Sequence, residues 1–194
     1  MDRFVEITEK IRAFTQASVK KSRYEHSVRV AEMCARICRF YRLDSEKGYL
    51  AGVGHDMCKD FPVEKMIELA KKDGNPITDF EMKKPSLLHG RAAAVVMKEE
   101  FGISDEEILE AVAYHTSGKS GMCDLTKALF VADKIEPCRP QATPKYIEQK
   151  FSLSFDGMVY SVLKENYNYL TKKGYEVFPG TEGLLEEYKV EGVE

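Results

Sequence analysis

Apolar residues recur at helical spacing in nearly every segment of the chain, and sustained alternation of apolar and polar residues is absent. The block Ala92–Met97 is apolar on all sides, which predicts a helix at the centre of a bundle. The capping-box pattern Ser22–Glu25 predicts the start of another helix, which runs to about Tyr41. One face of that helix is apolar and carries Val30, Cys34, Ile37 and Tyr41. The pattern therefore predicts an all-α fold.

The predicted helix boundaries come from capping residues and helix breakers. A second capping box begins at Ser104, while Asp44 and Asp124 are predicted to cap two further helices. The last long helix ends at Gly174, and residues 175–180 are predicted to form an extended strap before a short charged helix. The predicted helices, in chain order, cover residues 22–41, 44–55, 62–72, 86–100, 104–115, 124–136, 144–151 and 154–173.

No internal repeat, low-complexity tract or linker divides the 194 residues, so we predict a single domain over residues 1–194. Its motif-bearing core covers about residues 22–140, and the C-terminal helices and the strap occupy residues 141–194. The hydrophobic content of 43% fits one compact domain and excludes a disordered or fibrous chain.

The charge balance and the apolar runs restrict the partners. Lys plus Arg number 29 and Asp plus Glu number 32, so the formal net charge is −3, without the basic excess that nucleic-acid binding requires. The longest purely apolar run, Ala92–Met97, is far shorter than the roughly 20 residues of a membrane-spanning helix. Met1–Lys10 lacks the features of a secretory signal. We therefore predict a cytoplasmic protein with neither a nucleic-acid nor a membrane partner.

The five cysteines are an odd number scattered along the chain, which does not predict a disulfide framework. Cys34 and Cys38 lie one helical turn apart, but no second close pair accompanies them. Small buried thiols are therefore the favoured interpretation, and a structural zinc site is disfavoured.

The histidines lie where predicted helices begin or end, and two aspartates accompany them. His55 and Asp56 end an apolar helix, and Asp133 lies in the apolar run 128–133, where a buried carboxylate is costly unless a cation compensates it. Each feature has a structural alternative: a helix-ending Asp beside His is common, and a salt bridge would satisfy Asp133. Together with His26, these residues supply the nitrogen and oxygen ligands that a divalent transition metal prefers.

Two further histidines are predicted to face the same interior. His115 shares a helix face with Ile108 and Val112, so it is expected to point inward. His89 opens the central apolar helix.

The ordered series of histidines and aspartates resembles the HD-domain metal-dependent phosphohydrolases, an all-helical superfamily. It is most similar to the YqeK-type symmetrical bis(5′-nucleosyl)-tetraphosphatases. The stretches that carry this resemblance are Arg23–Ser27, Gly54–Asp60, Leu88–Gly90, Tyr114–Gly118 and Ala132–Arg139. The His-Asp pair is common to the whole superfamily. The last two stretches together are typical of a much smaller group of proteins. The resemblance covers about residues 12–180 and implies a single-domain HD-type helical bundle.

The resemblance implies a reaction and a ligand set. The reaction is hydrolysis of diadenosine tetraphosphate at its centre, giving two ADP, at an iron-type site. The residues that match the four shared metal ligands are His26, His55, Asp56 and Asp133. His89 and His115 match positions that hold a second metal in some members and contact substrate phosphate in others. The resemblance therefore implies either one or two metal ions. Manganese and zinc suit these ligands equally well, so iron rests on the resemblance.

The catalytic roles are argued from charge and spacing. A metal held by two His and two Asp keeps open positions, at which a bound water is acidified and a phosphate oxygen is polarised. If there is a second metal, Asp56 is the natural bridging carboxylate. Lys59, three residues beyond Asp56, is predicted to neutralise charge that develops on the phosphoryl group. A solvated surface lysine is the alternative for Lys59.

The predicted phosphate ligands are Arg23, Lys59 and Arg139, with Thr116 at the mouth of the site. Arg23 lies three residues before His26 and so shares its helix face, which makes it a better candidate than Arg29. Surface arginines are common, and Thr116 belongs to a stretch that also fits a plain connecting loop.

Two aromatic side chains of the strap, Tyr175 and Phe178, are predicted to stack on an adenine. Packing of the strap onto the bundle is the alternative for both.

The residues leave other functions open. One is an HD phosphohydrolase acting on a nucleoside monophosphate, a deoxynucleotide or a guanosine alarmone; another is a nucleotide-binding regulatory module without turnover. The oligomeric state is also open, with a homodimer among the options.

Overall fold

Helices account for all the regular secondary structure among residues 3–193, the range that the computed structural model describes. The all-α prediction is confirmed. Met1, Asp2 and Glu194, which the predicted single domain includes, lie outside the described residues, and the division into one domain stays a prediction. The helices of the described range are α1 (Arg3–Ser18), α2 (Lys21–Phe40), α3 (Ser45–Gly54), α4 (Val63–Ala70), α5 (Asp79–Lys83), α6 (His89–Phe101), α7 (Glu106–Tyr114), α8 (Asp124–Ile135), α9 (Pro144–Phe151), α10 (Phe155–Lys172) and α11 (Thr181–Glu187).

The start of α2 differs from the sequence prediction. The helix begins at Lys21, and the residue before it, Lys20, makes no capping hydrogen bond with its side chain. Instead, the backbone N–H of Lys20 donates to the carboxylate of Asp60, at 2.9 Å. A tertiary contact therefore satisfies this helix end, and the predicted capping box at Ser22 was wrong.

Other boundaries moved by a few residues. Asp105 rather than Ser104 caps α7, accepting from two backbone N–H groups, and α8 starts one residue earlier than a cap at Asp124 implies. A 3-10 turn, Pro85–Leu88, precedes α6, so that helix opens at His89 and not at Ser86. Two helices were missed, α1 (Arg3–Ser18) and the short α5. Helix α5 has a capping box at Thr78, inside a stretch too polar to show helical periodicity.

Five helices bring their ends together at one end of the bundle. The second turn of α2 contains His26, and α3 ends immediately before His55 and Asp56. Helix α6 begins at His89, and α7 ends immediately before His115. Helix α8 carries Asp133 near its C-terminal end. One continuous core of buried apolar side chains lies behind these ends and includes residues from α1 to α11.

The packing of α2 on α3 depends on Gly52, because a Cβ at this position would lie 2.4 Å from the Cα and 2.8 Å from the N of Ala31. We expect Gly52→Ala to reduce the free energy of unfolding by about 1–3 kcal/mol, since only a shift of backbone can relieve the overlap. For a chain of this size, each kcal/mol lowers the melting temperature by about 2–4 °C. Thermal unfolding measures the change.

Gly183 provides the control for that substitution. It lies in α11, and a Cβ there would meet nothing within 4 Å. Gly183→Ala should be neutral or slightly stabilising. Equal melting temperatures for Gly52→Ala and wild type would contradict the tight packing of α2 on α3.

The segment after α10 has no regular structure from Tyr175 to Phe178. The strap predicted over residues 175–180 is therefore non-helical at 175–178, and a turn occupies residues 179–180. Phe178 packs edge-on against Phe80, with ring centroids 5.6 Å apart, and Lys84 donates to the carbonyl oxygen of Glu176. The strap is thus fastened to α5 and the residue that follows it.

Within the described range, none of the helices combines the length and the apolar character needed to cross a bilayer.

Candidate metal centre

The carboxylate of Asp56 lies at the centre of the four histidines. Its Oδ1 is 3.0 Å from Nε2 of His89 and 3.8 Å from Nε2 of His115. Its Oδ2 is 3.6 Å from Nε2 of His55 and 3.9 Å from Nε2 of His26. The ligand atoms form two groups, each within 4.8 Å, and Asp56 belongs to both. The structure thus brings these predicted ligands together around a shared carboxylate.

Hydrogen bonds fix the tautomer of three of the imidazoles. In each, Nδ1 makes a hydrogen bond to the backbone carbonyl oxygen of the residue three positions earlier. The N···O distances are 2.6 Å for His55 and Gly52, 2.6 Å for His89 and Ser86, and 2.7 Å for His115 and Val112. A carbonyl only accepts, so Nδ1 must carry the hydrogen. In the neutral rings, the lone pair is therefore on Nε2 and faces the centre.

His26 is oriented differently, by a residue to which the sequence analysis gave no role. Its Nδ1 lies 3.2 Å from Oε1 of Glu136, which is buried and also accepts from Arg29. Glu136 belongs to the stretch 132–139 that carried the family resemblance. The signal for its role was its place directly after the helix that carries Asp133. Arg29, which was the weaker phosphate candidate, has its guanidinium engaged with Glu136.

Burial disfavours protonation of two of the imidazoles. It lowers the pKa of His55 below the ordinary histidine value, and it lowers the pKa of His115 well below that value, in both cases because a charged ring would lose its hydration. For Asp56, burial alone would raise the pKa, but the neighbouring imidazoles outweigh it and hold the pKa well below the usual range. The centre therefore combines an ionised carboxylate with two imidazoles, His55 and His115, whose burial disfavours the charged form.

These residues fit a bound cation. The buried Nε2 atoms of His26 and His55 have no hydrogen-bond partner, which costs about 1–3 kcal/mol each when nothing compensates. Nε2 of His89 lies 3.1 Å from Nε2 of His115 and 3.0 Å from the Asp56 carboxylate, so three acceptor atoms face one another. A cation among them would offset the repulsion between these lone pairs. Nitrogen and oxygen donors in this number suit a divalent transition metal.

Asp133 lies beside the two groups, and both of its predicted roles have support. Its Oδ1 is 3.1 Å from Nε2 of His26. It also accepts from Arg139, at 2.7 Å, and from Lys134, at 3.2 Å. Burial alone would raise the pKa of Asp133, but the charge of Lys134 and the contact with the His26 ring hold it well below the usual value. Its role as a metal ligand stays a prediction.

Three of the predicted phosphate ligands border the centre as cations. Arg23 lies 2.9 Å from Oδ2 of Asp56 and pairs with it. Lys59 has Nζ at 3.2 and 3.4 Å from the two ring nitrogens of His89, and burial lowers its pKa. The third cation, Arg139, is the one paired with Asp133.

Two more groups contact His115. The hydroxyl of Thr116 lies 3.0 Å from its Nε2, so Thr116 borders the centre, and its contact with substrate stays a prediction. Lys134 donates to the carbonyl oxygen of His115, at 2.9 Å, while it also pairs with Asp133. Lys134 was missed as a site residue because an isolated lysine at the end of a helix is usually solvated.

The strap aromatics lie apart from these contacts. The ring of Phe178 is engaged by Phe80, and Tyr175 is 58% exposed. Their stacking on an adenine stays a prediction.

The HD domain family matches residues 23–138, a range that contains all the proposed metal ligands. The chain is 33% identical to a symmetrical bis(5′-nucleosyl)-tetraphosphatase of Staphylococcus aureus, over 93% of each chain. It is 31% identical to the enzyme of the same name from Bacillus subtilis, over 87% of this chain and 90% of that one. A Mycoplasma genitalium protein named as a probable nicotinate-nucleotide adenylyltransferase/Ap4A hydrolase is 30% identical over 65% of this chain and 35% of its own length.

A solved structure shares the fold. It is a predicted HD superfamily hydrolase involved in NAD metabolism from Clostridium acetobutylicum, with a TM-score of 0.84 and 28% identity. The similarity covers 93% of this chain and 95% of that one.

Proposed function

The chain belongs to the HD-domain family, and we propose that it is a metal-dependent phosphohydrolase that cleaves diadenosine tetraphosphate at its centre into two ADP. The observation that carries the proposal is the convergence of four imidazole Nε2 atoms on the Asp56 carboxylate, with cations around it. The similarity to the Staphylococcus aureus and Bacillus subtilis enzymes over most of their length selects the substrate.

The residues that would hold one metal ion are His26, His55, Asp56 and Asp133. A second ion would lie between Asp56, His89 and His115, with Asp56 shared. When bound, a divalent metal acidifies a water molecule and polarises a phosphate oxygen. We propose iron on the strength of the family resemblance; manganese and zinc are the other candidates.

The protein's own groups bind and orient the substrate. Arg23 and Arg139 neutralise the two carboxylates that face the centre, and both side chains remain 37% exposed, so each has N–H donors left for a phosphate. Lys59 supplies a positive charge beside His89 for the negative charge that develops on the phosphate chain. The Thr116 hydroxyl supplies a further hydrogen bond at His115.

We propose a nucleotide rather than a nucleic acid as the partner, because the net charge is −3, and a cytoplasmic location.

Product analysis tests the reaction. Purified protein loaded with Fe²⁺ or Mn²⁺ should convert diadenosine tetraphosphate into ADP alone. In water enriched in oxygen-18, one of each two ADP molecules should carry the label on its terminal phosphate, because attack by water cleaves the central bridge. AMP with ATP would mean asymmetric cleavage, and unlabelled ADP would exclude hydrolysis at this site.

A nucleotide panel separates the alternatives. It should contain a nucleoside monophosphate, a deoxynucleotide, a guanosine alarmone and NAD, since the Clostridium acetobutylicum relative is named for NAD metabolism. Faster turnover of one of these compounds than of diadenosine tetraphosphate would reassign the substrate. Binding of nucleotide without turnover under every metal would favour the regulatory module.

A further inference from the structure

Glu136 immediately follows α8, and its carboxylate is buried, with 3% of the residue exposed. Its two oxygens differ in their short contacts. Oε1 lies 3.2 Å from Nδ1 of His26 and 3.5 Å from Nη2 of Arg29. Oε2 accepts from Nε of Arg29, at 2.7 Å, and from the backbone N–H of Cys138, at 2.8 Å. Each oxygen is therefore held in a defined place.

We propose that Glu136 is a positioning residue, which fixes the tautomer and ring direction of His26 and so aims the Nε2 lone pair of that ring at the metal centre. The proposal rests on the proposed function where it concerns metal binding. It does not depend on that function where it concerns the tautomer.

The position of His26 in its helix explains why a side chain, and not a backbone carbonyl, accepts the hydrogen bond from its Nδ1. The last four carbonyls of a helix have no partner within the helix. His55 and His115 follow the ends of α3 and α7, so they bond to such carbonyls. His26 lies in the second turn of α2, where the carbonyls accept from the helix itself. A carboxylate from another element supplies the missing acceptor, as outer-shell carboxylates do for many metal-binding histidines.

The two donors at Oε2 make a sharp test available through Glu136→Gln. Arg29 Nε and the backbone N–H of Cys138 both donate to this oxygen, so the amide oxygen of the glutamine must take its place. The amide NH₂ group then faces Nδ1 of His26. Since NH₂ only donates, His26 must accept at Nδ1 and carry its hydrogen on Nε2. A nearly isosteric change thus moves one proton across the ring.

Nitrogen-15 NMR of the metal-free protein reports this tautomer directly. Spectra are recorded over a series of pH values, so that the signals of the neutral ring are identified directly, and His26 is assigned from its missing signals in His26→Gln. Wild type should show the hydrogen on Nδ1, and Glu136→Gln should show it on Nε2. The same tautomer in both proteins would overturn the proposal. Hydrogen on Nε2 in wild type would overturn it even if the variant failed to fold.

The control is Glu110→Gln. Glu110 has the same kinds of partner, a backbone N–H from Cys123, a cation from Lys119 and a hydroxyl from Thr126, but it contacts none of the four histidines. Both variants lose one partly or fully buried negative charge. Only Glu136→Gln should change the His26 tautomer.

Equilibrium binding of Mn²⁺ gives a second readout besides activity. Glu136→Gln should bind Mn²⁺ about 10- to 100-fold more weakly than wild type, the usual effect of losing an outer-shell partner, while Glu110→Gln should bind within about twofold of wild type. Excess Mn²⁺ should restore part of the lost turnover. Equal affinity in wild type and Glu136→Gln would contradict the proposal. If wild type itself bound neither Mn²⁺ nor Fe²⁺, the proposed function would fail, and the tautomer measurement would still decide the role of Glu136.

Discussion

An Asp56→Ala variant is expected to bind no divalent metal ion and to hydrolyse diadenosine tetraphosphate at least about 10³-fold more slowly than wild type, because a metal-centred reaction loses several kcal/mol of transition-state stabilisation without its ion. Asp56 is the one carboxylate common to both groups of ligands. Its loss removes the one negative charge that both groups share to offset a divalent cation. Elemental analysis and initial rates on the same preparation measure both effects.

Asp105→Ala is the matched control for this substitution. It removes a carboxylate that caps α7 and pairs with Lys47, away from the metal centre. It should lower thermal stability by about 1 kcal/mol, as the loss of a helix cap does, and leave the metal content unchanged. Full metal occupancy in Asp56→Ala would defeat the assignment of the centre.

A Lys59→Met variant is expected to keep its metal and to lose about 10²- to 10³-fold in kcat, the typical effect of removing one charge-stabilising donor from an active site. The Nζ of Lys59 lies against the His89 ring and is held there by burial of the side chain. Methionine retains most of the length and the apolar contacts and removes only the positive charge. Separate values of kcat and KM, with metal content, measure the result.

Lys65→Met serves as its control, since Lys65 lies over the ring of Phe61 and contacts none of the metal-centre residues. This variant should have the kcat of wild type. A normal kcat in Lys59→Met would contradict the catalytic role of Lys59; the sequence-based alternative of a solvated surface lysine does not fit its contact with His89.

The ligand residues could be predicted because their chemistry shows in the residue types themselves. His55, Asp56 and Asp133 interrupt apolar helices, and few explanations exist for an imidazole or a carboxylate in such a place. His115 was predicted to point inward from its helical spacing to Val112, and it is buried.

The helix starts show where local patterns were insufficient. The capping box at Ser22 satisfies every sequence rule, yet α2 begins earlier, and the backbone N–H of Lys20 donates to Asp60, forty positions further along the chain. Conversely, α5 has a complete capping box at Thr78 but too little apolar periodicity to predict a helix. The free N–H groups at a helix N-terminus can bond to acceptors that are near in the sequence or distant in it, and local sequence patterns show only the near ones.

The sequence by itself determined the helical architecture and the kinds of ligand, because periodicity and residue chemistry are properties of single positions and their close neighbours. Tertiary structure alone decided which atom of each ligand faces the centre. Glu136, 110 positions away, lies against Nδ1 of His26 and orients its ring. The ion pairs of Arg23 and Arg139 depend on where the fold places Asp56 and Asp133. Hydrogen bonds act over about 3 Å in space. The orientation of the side chains in the centre is therefore fixed only when the five helices have packed together.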